Sequence, residues 1–450
     1  MTWMLSDIAK MTNGVLHGND LSIDSVATDS RSVAADQLFI AIKGERFDAH
    51  DFVADLAGKA GAALVHQYVE CDLPQVVVSD TRQALADFAA AWRQQFTKPV
   101  IGLTGSNGKT TVKEMLSAIL SVRGSVLATL GNLNNDLGMP LTLLRLREEH
   151  DFAVIEMGAN HFHEIAFLTA ISKPDVAILN NAGAAHLEGF GSIEGVSRAK
   201  AEIFQGLSDD GIAIINADDT YADYWYGCNA SRQVISFGTQ NAATVQGKAT
   251  PTGTLVLTYQ QESVEITLKL LGEHNARNAL AAAAAALAIG TTLAQIKQGL
   301  ESLQPVKGRL APLAGQQGAL LIDDTYNANP SSAKAAIDVL AGFSAGEQVF
   351  VLGDMGELGD NVAELHQEVG AHARERDIDQ LYCLGAQSVH AANAFGAAAK
   401  HFDELEPLLD SLKATMKNNM TILVKGSRSM LMERVIEALK ATDSVNGGRN

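Results

Sequence analysis

One stretch, Pro99-Val-Ile-Gly-Leu-Thr-Gly-Ser-Asn-Gly-Lys-Thr-Thr111, constrains this chain more than any other. A short apolar run from Val100 to Leu103 leads into two glycines, Gly105 and Gly108. Lys109, Thr110 and Thr111 then open an apolar-periodic segment (Val112, Met115, Leu116, Ile119, Leu120) that ends near Gly124. The order predicts a strand, a turn whose backbone N–H groups face an anion, and a helix whose N-terminus favours negative charge. Gly105, Ser106, Asn107 and Gly108 would wrap phosphates, and Lys109 would reach the β- and γ-phosphates. Thr110 would place its hydroxyl on Mg²⁺, and Thr111 completes the loop. The strict spacing asks for glycine where Leu103 stands, with Gly102 and Gly105 on either side. Between a strand and a helix, the string reads as a nucleoside-triphosphate site rather than a surface turn.

A chain of 450 residues is too long for one core, and three blocks emerge. Residues 1–97 hold short mixed elements, among them strand-like Gln37–Ile42 and Gln75–Val78, and a helical stretch from Thr81 to Phe96. Residues 98–308 alternate strands (Phe152–Met157, Val176–Asn180, Gly211–Ile215) with helical segments, the pattern of a parallel sheet covered on both faces. A period-2 patch from Thr254 to Leu271 predicts antiparallel strands added to that sheet. Residues 309–450 repeat the alternation through Ala319–Ile322, Gln348–Leu352, Gln380–Leu384 and Thr421–Val424. The polar stretch 441–450 reads as a disordered tail.

Charge removes one class of partner. Against 34 lysines and arginines stand 52 aspartates and glutamates, a net −18 with no basic cluster, so nucleic acid is excluded as a partner. Cys71, Cys228 and Cys383 are isolated and in no metal-ligand spacing; they read as buried apolar thiols in a reducing compartment. No signal peptide is visible, and the Ala-rich run Asn278–Ile289 is too short to span a bilayer. It reads as a buried helix ended by Gly290. A cytoplasmic location is expected.

Ligands of parallel α/β sheets bind beyond the carboxyl ends of the strands. Those ends supply Glu156, then Asn180 and Asn181, with His186 close behind. A hard carboxylate and an imidazole near Thr110 would hold one or two Mg²⁺ ions against a triphosphate. The plainer readings are a solvated strand end for Glu156 and a backbone-bonded loop histidine for His186. Lys200, in the helical Ser197–Phe204, reads from pattern alone as a solvated lysine paired with Glu194 or Glu202. Asp323 and Asp324 end a strand and would bond ribose hydroxyls. Asn275 and Asn278 begin the Ala-rich helix, where one of them is expected to cap it. Arg309, at the junction of two blocks, either clamps a phosphate or salt-bridges the domains.

Taken together, these strings resemble the Mur ligase family, ATP-dependent amide synthetases of cell-wall precursor assembly, over nearly the whole chain. Thr104–Thr111 has the family's modified phosphate loop, which accounts for Leu103. Gly131-Asn-Leu-Asn-Asn-Asp-Leu-Gly-Met-Pro140, Glu156-Met-Gly-Ala-Asn160 and Asn181–Ser192 resemble its substrate and metal segments. Thr28-Asp-Ser-Arg-Ser-Val33, Leu38-Phe39, Gly44 and His50-Asp-Phe52 resemble the region that holds a UDP moiety. Ala49 stands where the family has glycine, and Phe162-His163 is bulkier than usual.

The resemblance implies an α/β protein of three domains. These are a mixed α/β UDP-binding domain, a central P-loop parallel-sheet ATPase domain and a Rossmann-like C-terminal domain. It assigns Lys109 to the phosphates, and Thr110, Glu156 and His186 to magnesium, which is expected as two ions. Asn275 goes to the adenine and Asp324 to the ribose, with Arg309 among the catalytic residues. Ser30, Arg31, Asn132, Asn135 and Asn160 contact the UDP-linked substrate. Lys200 falls on a family lysine that is carbamylated, and a carbamate offers oxygens that Mg²⁺ prefers. Asp323-Asp-Thr-Tyr-Asn-Ala-Asn-Pro330, Leu352-Gly-Asp-Met-Gly-Glu-Leu-Gly359 and Val424-Lys-Gly-Ser-Arg-Ser-Met430 point to the branch that joins D-alanyl-D-alanine to UDP-N-acetylmuramoyl-tripeptide through an acyl phosphate. The branch that adds a diamino acid is expected to carry Asp-Asn-Pro-Arg, which does not occur. A folylpolyglutamate-type ligase is the near rival, and a P-loop switch protein the distant one. The guanine motif Asn-Lys-x-Asp of the latter is missing. A monomer is expected.

Overall fold

The structure is a computed structural model that describes residues 2–44, 47–250, 254–270, 272–304, 306–343 and 346–441, apart from the side chain of Asp360. Most of the stretch expected to be a disordered tail, 442–450, lies outside the described residues. Three main sheets follow one another along the chain.

Runs such as Val100–Thr104, Phe152–Glu156 and Val176–Leu179 are buried at every position, as strands covered on both faces must be. They lie side by side in a nine-stranded sheet. From one edge its order is Val126–Ala128, Phe152–Glu156, Val100–Thr104, Val176–Leu179, Ile212–Asn216, Gln233–Gly238 and Val245–Ala249, all parallel. Thr254–Tyr259 and Glu262–Thr267 extend it antiparallel, as the alternation predicted. Before this sheet lies a five-stranded one, in which Gln37–Ile40, Ala62–Val65 and Gln75–Val77 are central and only Val15–His17 runs antiparallel. After it lies a six-stranded one. Its parallel strands Leu320–Asp324, Met420–Lys425, Glu347–Gly353, Gln380–Leu384 and Ala399–Phe402 are edged by antiparallel Ala311–Ala314.

The first and second sheets share a core. The helix Thr81–Arg93 presents Leu85, Phe88 and Trp92 to a cluster that also holds Trp3, Ile155 and Leu179. Trp3 meets Phe88 and Trp92 edge-on at 5.1 and 5.0 Å. Polar groups finish this joint: Trp92 Nε1 donates to Leu146 O, and Arg93 donates to Ser172 O and Lys173 O. The third sheet has separate cores on its two faces.

Two sequence expectations change here. Cys383 is buried, but Cys71 is half-buried and Cys228 exposed, because Cys228 ends the short helix Ala222–Cys228 at the surface. The Ala-rich helix runs Glu273–Ala288 and starts from Gly272, whose φ of 96° makes the turn with no capping side chain. Asn275 and Asn278 therefore lie inside its first turns, where they are buried, and neither is its N-cap.

Ala-rich and Gly-containing helices let backbones approach closely around the helix Lys109–Ser121. A Cβ on Gly299, in the helix Leu293–Ser302, would stand 2.4 Å from Ile119 Cα. Gly299→Ala is therefore expected to destabilise the central domain by roughly 1–3 kcal/mol through overpacking, despite alanine's better helix propensity. Thermal unfolding followed by circular dichroism checks this; an unchanged or higher midpoint refutes the close-packing account.

Candidate active site

The strand Val100–Thr104 ends on the loop Gly105–Gly108, and the reason for Leu103 is now visible. Leu103 lies inside the strand, fully buried, so the turn begins two residues later. Gly108 has φ 77°, and a Cβ there would stand 2.4 Å from Asn278 Oδ1, so glycine is required on both counts. The loop is braced from the neighbouring strand end. Ser106 N donates to Asn181 O, Asn107 N to Asn181 Oδ1 at 2.9 Å, and Asn180 Nδ2 to Asn107 O at 3.0 Å. Lys109 Nζ folds back onto Gly105 O at 2.7 Å.

Parallel pairing sets Glu156 opposite Leu103, which brings the two strand ends together. Thr110 Oγ1 donates to Glu156 Oε2 at 3.0 Å, and Asn134 Nδ2 donates to Glu156 Oε1 at 2.7 Å. Glu156 is buried, so the solvated strand end is excluded. From the third sheet, Arg309 donates to Thr110 Oγ1 at 2.9 Å while its guanidinium lies 4.2 Å from the Tyr326 ring centre. Asn107 spans the same divide: its Oδ1 accepts from Asn329 Nδ2 at 2.7 Å and its Nδ2 donates to Ser331 Oγ at 2.8 Å. His186 Nδ1 lies 2.7 Å from Glu357 Oε2, a carboxylate partner rather than the backbone.

These groups line one cavity of about 580 Å³. Its walls include Ser106–Thr111, Asn132, Asn135, Glu156, Asn160, His186, Asn275, Arg309 and Asp324. Asp324 is held by Lys425, whose Nζ donates to its Oδ2 at 2.6 Å. Asp323 points elsewhere and accepts from Gly308 N and the Thr325 hydroxyl.

Lys200 overturns the solvated reading. It is 0% exposed, its Nζ donates to Ala159 O at 3.1 Å, and it lies 5.3 Å from the Phe190 ring centre. Burial, aided by repulsion from Lys109, pulls its pKa down to about 7 against the attraction of Glu164 and Glu202. It stands behind the cavity wall formed by Ala159, not in the lining itself.

The family models match in chain order. The Mur ligase family catalytic domain covers residues 22–93, the Mur ligase middle domain 103–286, and the Mur ligase glutamate ligase domain 308–428. A relative from Escherichia coli, UDP-N-acetylmuramoyl-tripeptide–D-alanyl-D-alanine ligase, is 48% identical over 445 residues, 97% of this chain and 98% of its own. The chain belongs to the Mur ligase family. A crystal structure of MurF from Acinetobacter baumannii superposes with a TM-score of 0.92 at 39% identity, covering 97% of this chain and 98% of that one. MurF ligase from Thermotoga maritima, solved in complex with ADP, gives 0.83 at 30% identity over 92% and 96%. The mixed α/β, three-domain Mur ligase architecture is thus that of this chain.

Within this Mur ligase, Ser30 and Arg31 are not brought to the cavity. Arg31 is largely exposed and forks onto Asp29 at 2.9 and 2.7 Å. His50 has its Nδ1 on Asp48 at 2.6 Å, and its Nε2 accepts from His66 N at 2.9 Å, which makes it a brace of that loop. Sequence reading missed Asn134, Lys425 and Glu357, although each lies in a string quoted for the resemblance. It had no way to know which residue of each string faces inward.

His274, on the cavity rim, has a pKa lowered to about 4 by burial and by Arg277 and Lys425, with Asp338 opposing. Its neutral form fits the fold, so the stability it contributes is full above its ordinary value near 6.5 and is lost as pH falls towards 4. An NMR titration of this imidazole is expected to show a midpoint near 4; a midpoint near 6.5 contradicts the burial argument.

Proposed function

We propose that this chain joins D-alanyl-D-alanine to the terminal carboxylate of UDP-N-acetylmuramoyl-tripeptide with ATP, in cytoplasmic peptidoglycan precursor synthesis. The observation that carries it is the single cavity in which the phosphate loop and Glu156 meet the third-domain strings, in a chain 48% identical end to end to a ligase of that name. We take domain limits of 1–97, 98–308 and 309–450, a division that the succession of three main sheets supports. We read the chain as acting as a monomer. Among the described residues no helix is long and apolar enough to cross a membrane.

A carboxylate is a poor electrophile, so it first takes the γ-phosphoryl group. The amine of the dipeptide then attacks the acyl carbonyl and phosphate leaves. The first step brings anions together, and Lys109 and Arg309 offset that charge beside the loop N–H groups of Gly105–Thr111. Asn275 receives the adenine and Asp324, held by Lys425, the ribose. Asn132, Asn135 and Asn160 face the UDP-linked substrate from the cavity wall, and Ser30 and Arg31 meet its uridine end from outside it. The hard oxygens of Thr110 and Glu156, 3.0 Å apart at a helix N-terminus, fit Mg²⁺, with His186 as a further ligand. When bound, the metal supplies charge neutralisation at the transferring phosphoryl group. The Thr110, Glu156 and Asn134 contacts orient the ligand oxygens, and closure of the third domain excludes water.

The assay is phosphate release by the full chain. It is expected to require both UDP-N-acetylmuramoyl-tripeptide and D-alanyl-D-alanine. Amide product from free lysine or diaminopimelate and the UDP-muramyl dipeptide would move the chain to another branch of the family.

Lys200 acts as a carbamate in this reading. Only a neutral amine takes up carbon dioxide, and burial with Lys109 nearby lowers its pKa to about 7, so the reactive form is present at neutral pH. With ¹³C-bicarbonate at pH 8, a carbamate resonance is expected in the protein and none in Lys200→Arg, together with loss of most ligase activity. A wild-type spectrum without that resonance, or full activity in the variant, rejects the role.

A further inference from the structure

We propose that Glu357 is a positioning residue that fixes His186 for metal binding, so that the metal site is complete only when the third domain is closed on the second. This rests on the reading of His186 as a magnesium ligand. His186 precedes the short helix Leu187–Phe190 of the second domain, whereas Glu357 follows the strand Glu347–Gly353 of the third. Their side chains meet at 2.7 Å, through Nδ1 and Oε2. The negative charge of an ionised Glu357 at this distance favours a proton on Nδ1, which leaves the Nε2 lone pair for a cation. Imidazole is a poorer partner than oxygen for a hard cation, so its orientation and basicity matter more here than those of Glu156.

His186 has φ 53° and Glu357 φ 60°, left-handed conformations that are uncommon in residues other than glycine. The two loops lie side by side beyond the pair as well: a Cβ on Gly359 would come within 3.9 Å of Glu188 N. The cavity's other carboxylates have partners within their own domains. Glu156 is bonded to Thr110 and Asn134, Glu164 to Asn160 N, Asp218 to Thr239 N and Asn241 N, Asp219 to Ala182 N, and Asp324 to Lys425. Glu357 reaches across to the opposing domain instead, and it lines the same cavity as His186, Thr110 and Glu156.

The test is Mn²⁺ binding to the full chain, read by electron paramagnetic resonance with ADP and UDP-N-acetylmuramoyl-tripeptide present. Glu357→Ala is expected to weaken the Kd about ten- to hundredfold, as loss of a ligand-orienting partner does. Glu357→Gln keeps an acceptor oxygen and the side-chain shape, so it should fall between the wild type and Glu357→Ala. Combining Glu357→Ala with His186→Ala should weaken binding no further than His186→Ala alone, since both act through one ring. In turnover, KM for D-alanyl-D-alanine should stay within about twofold while the Mn²⁺ requirement rises. If His186→Ala weakens Mn²⁺ and Glu357→Ala does not, the inference falls and the magnesium reading stands. If neither weakens it, both fall. A raised KM for the dipeptide with unchanged Mn²⁺ binding would assign Glu357 to the acceptor amine and overturn the proposal.

Discussion

The hydrogen bond from Thr110 to Glu156 depends on almost everything built beneath it, and the site depends on that bond in turn. It joins the first turn of a helix to the last residue of a neighbouring strand. Such a contact forms only where two parallel strands end at the same height, which the pairing of Glu156 with Leu103 ensures. Parallel pairing needs apolar cover on both faces, and the two large clusters flanking the sheet provide it. With Glu156 buried and both its oxygens engaged, two hard oxygen donors stand fixed beside a loop of backbone N–H groups. That is a preorganised place for charge, assembled before any ligand arrives.

The two domain interfaces have different physical characters, and function follows the difference. The first domain joins the second through a shared apolar core around Trp3, Phe88 and Trp92, which resists separation. The third meets the second at the cavity through hydrogen bonds and ion contacts: Arg309 to Thr110, Asn107 to Asn329 and Ser331, His186 to Glu357. Polar contacts exchange readily with water, so this joint resists separation less than the apolar one does. Several of its members also belong to the glycine loop or to the metal site proposed above. Closure and chemistry therefore share residues.

How much could be read beforehand varied with how local each signal was. The strand, glycine loop and helix around Lys109 were legible because they follow one another within thirteen residues and each has its own pattern. The antiparallel pair at the sheet edge was legible for the same reason, through alternation. Lys200 was not. Its helix, Ile193–Ala201, carries charged residues that suggest a solvated face, and only packing against Ala159 and Phe190 buries the lysine. Asn275 and Asn278 looked like caps because capping is inferred from proximity to a helix start, whereas Gly272 makes that start with its backbone alone. Cys228 was placed inside on the habits of its residue type, though its position at the end of a short helix leaves it at the surface.

The sequence by itself determined that a glycine loop sits between a strand and a helix, that three α/β units follow one another, and, by resemblance, which ligase family they form. These are properties of contiguous residues, in which side-chain periodicity and glycine's freedom act over a few positions. Tertiary structure alone decided that Asn134 holds Glu156, that Lys425 holds Asp324, that Lys200 is buried and that Glu357 meets His186. Each of those contacts joins residues tens to more than a hundred and fifty positions apart. No local pattern encodes which side chain of a string faces inward; sheet register and the packing of one domain on another settle it.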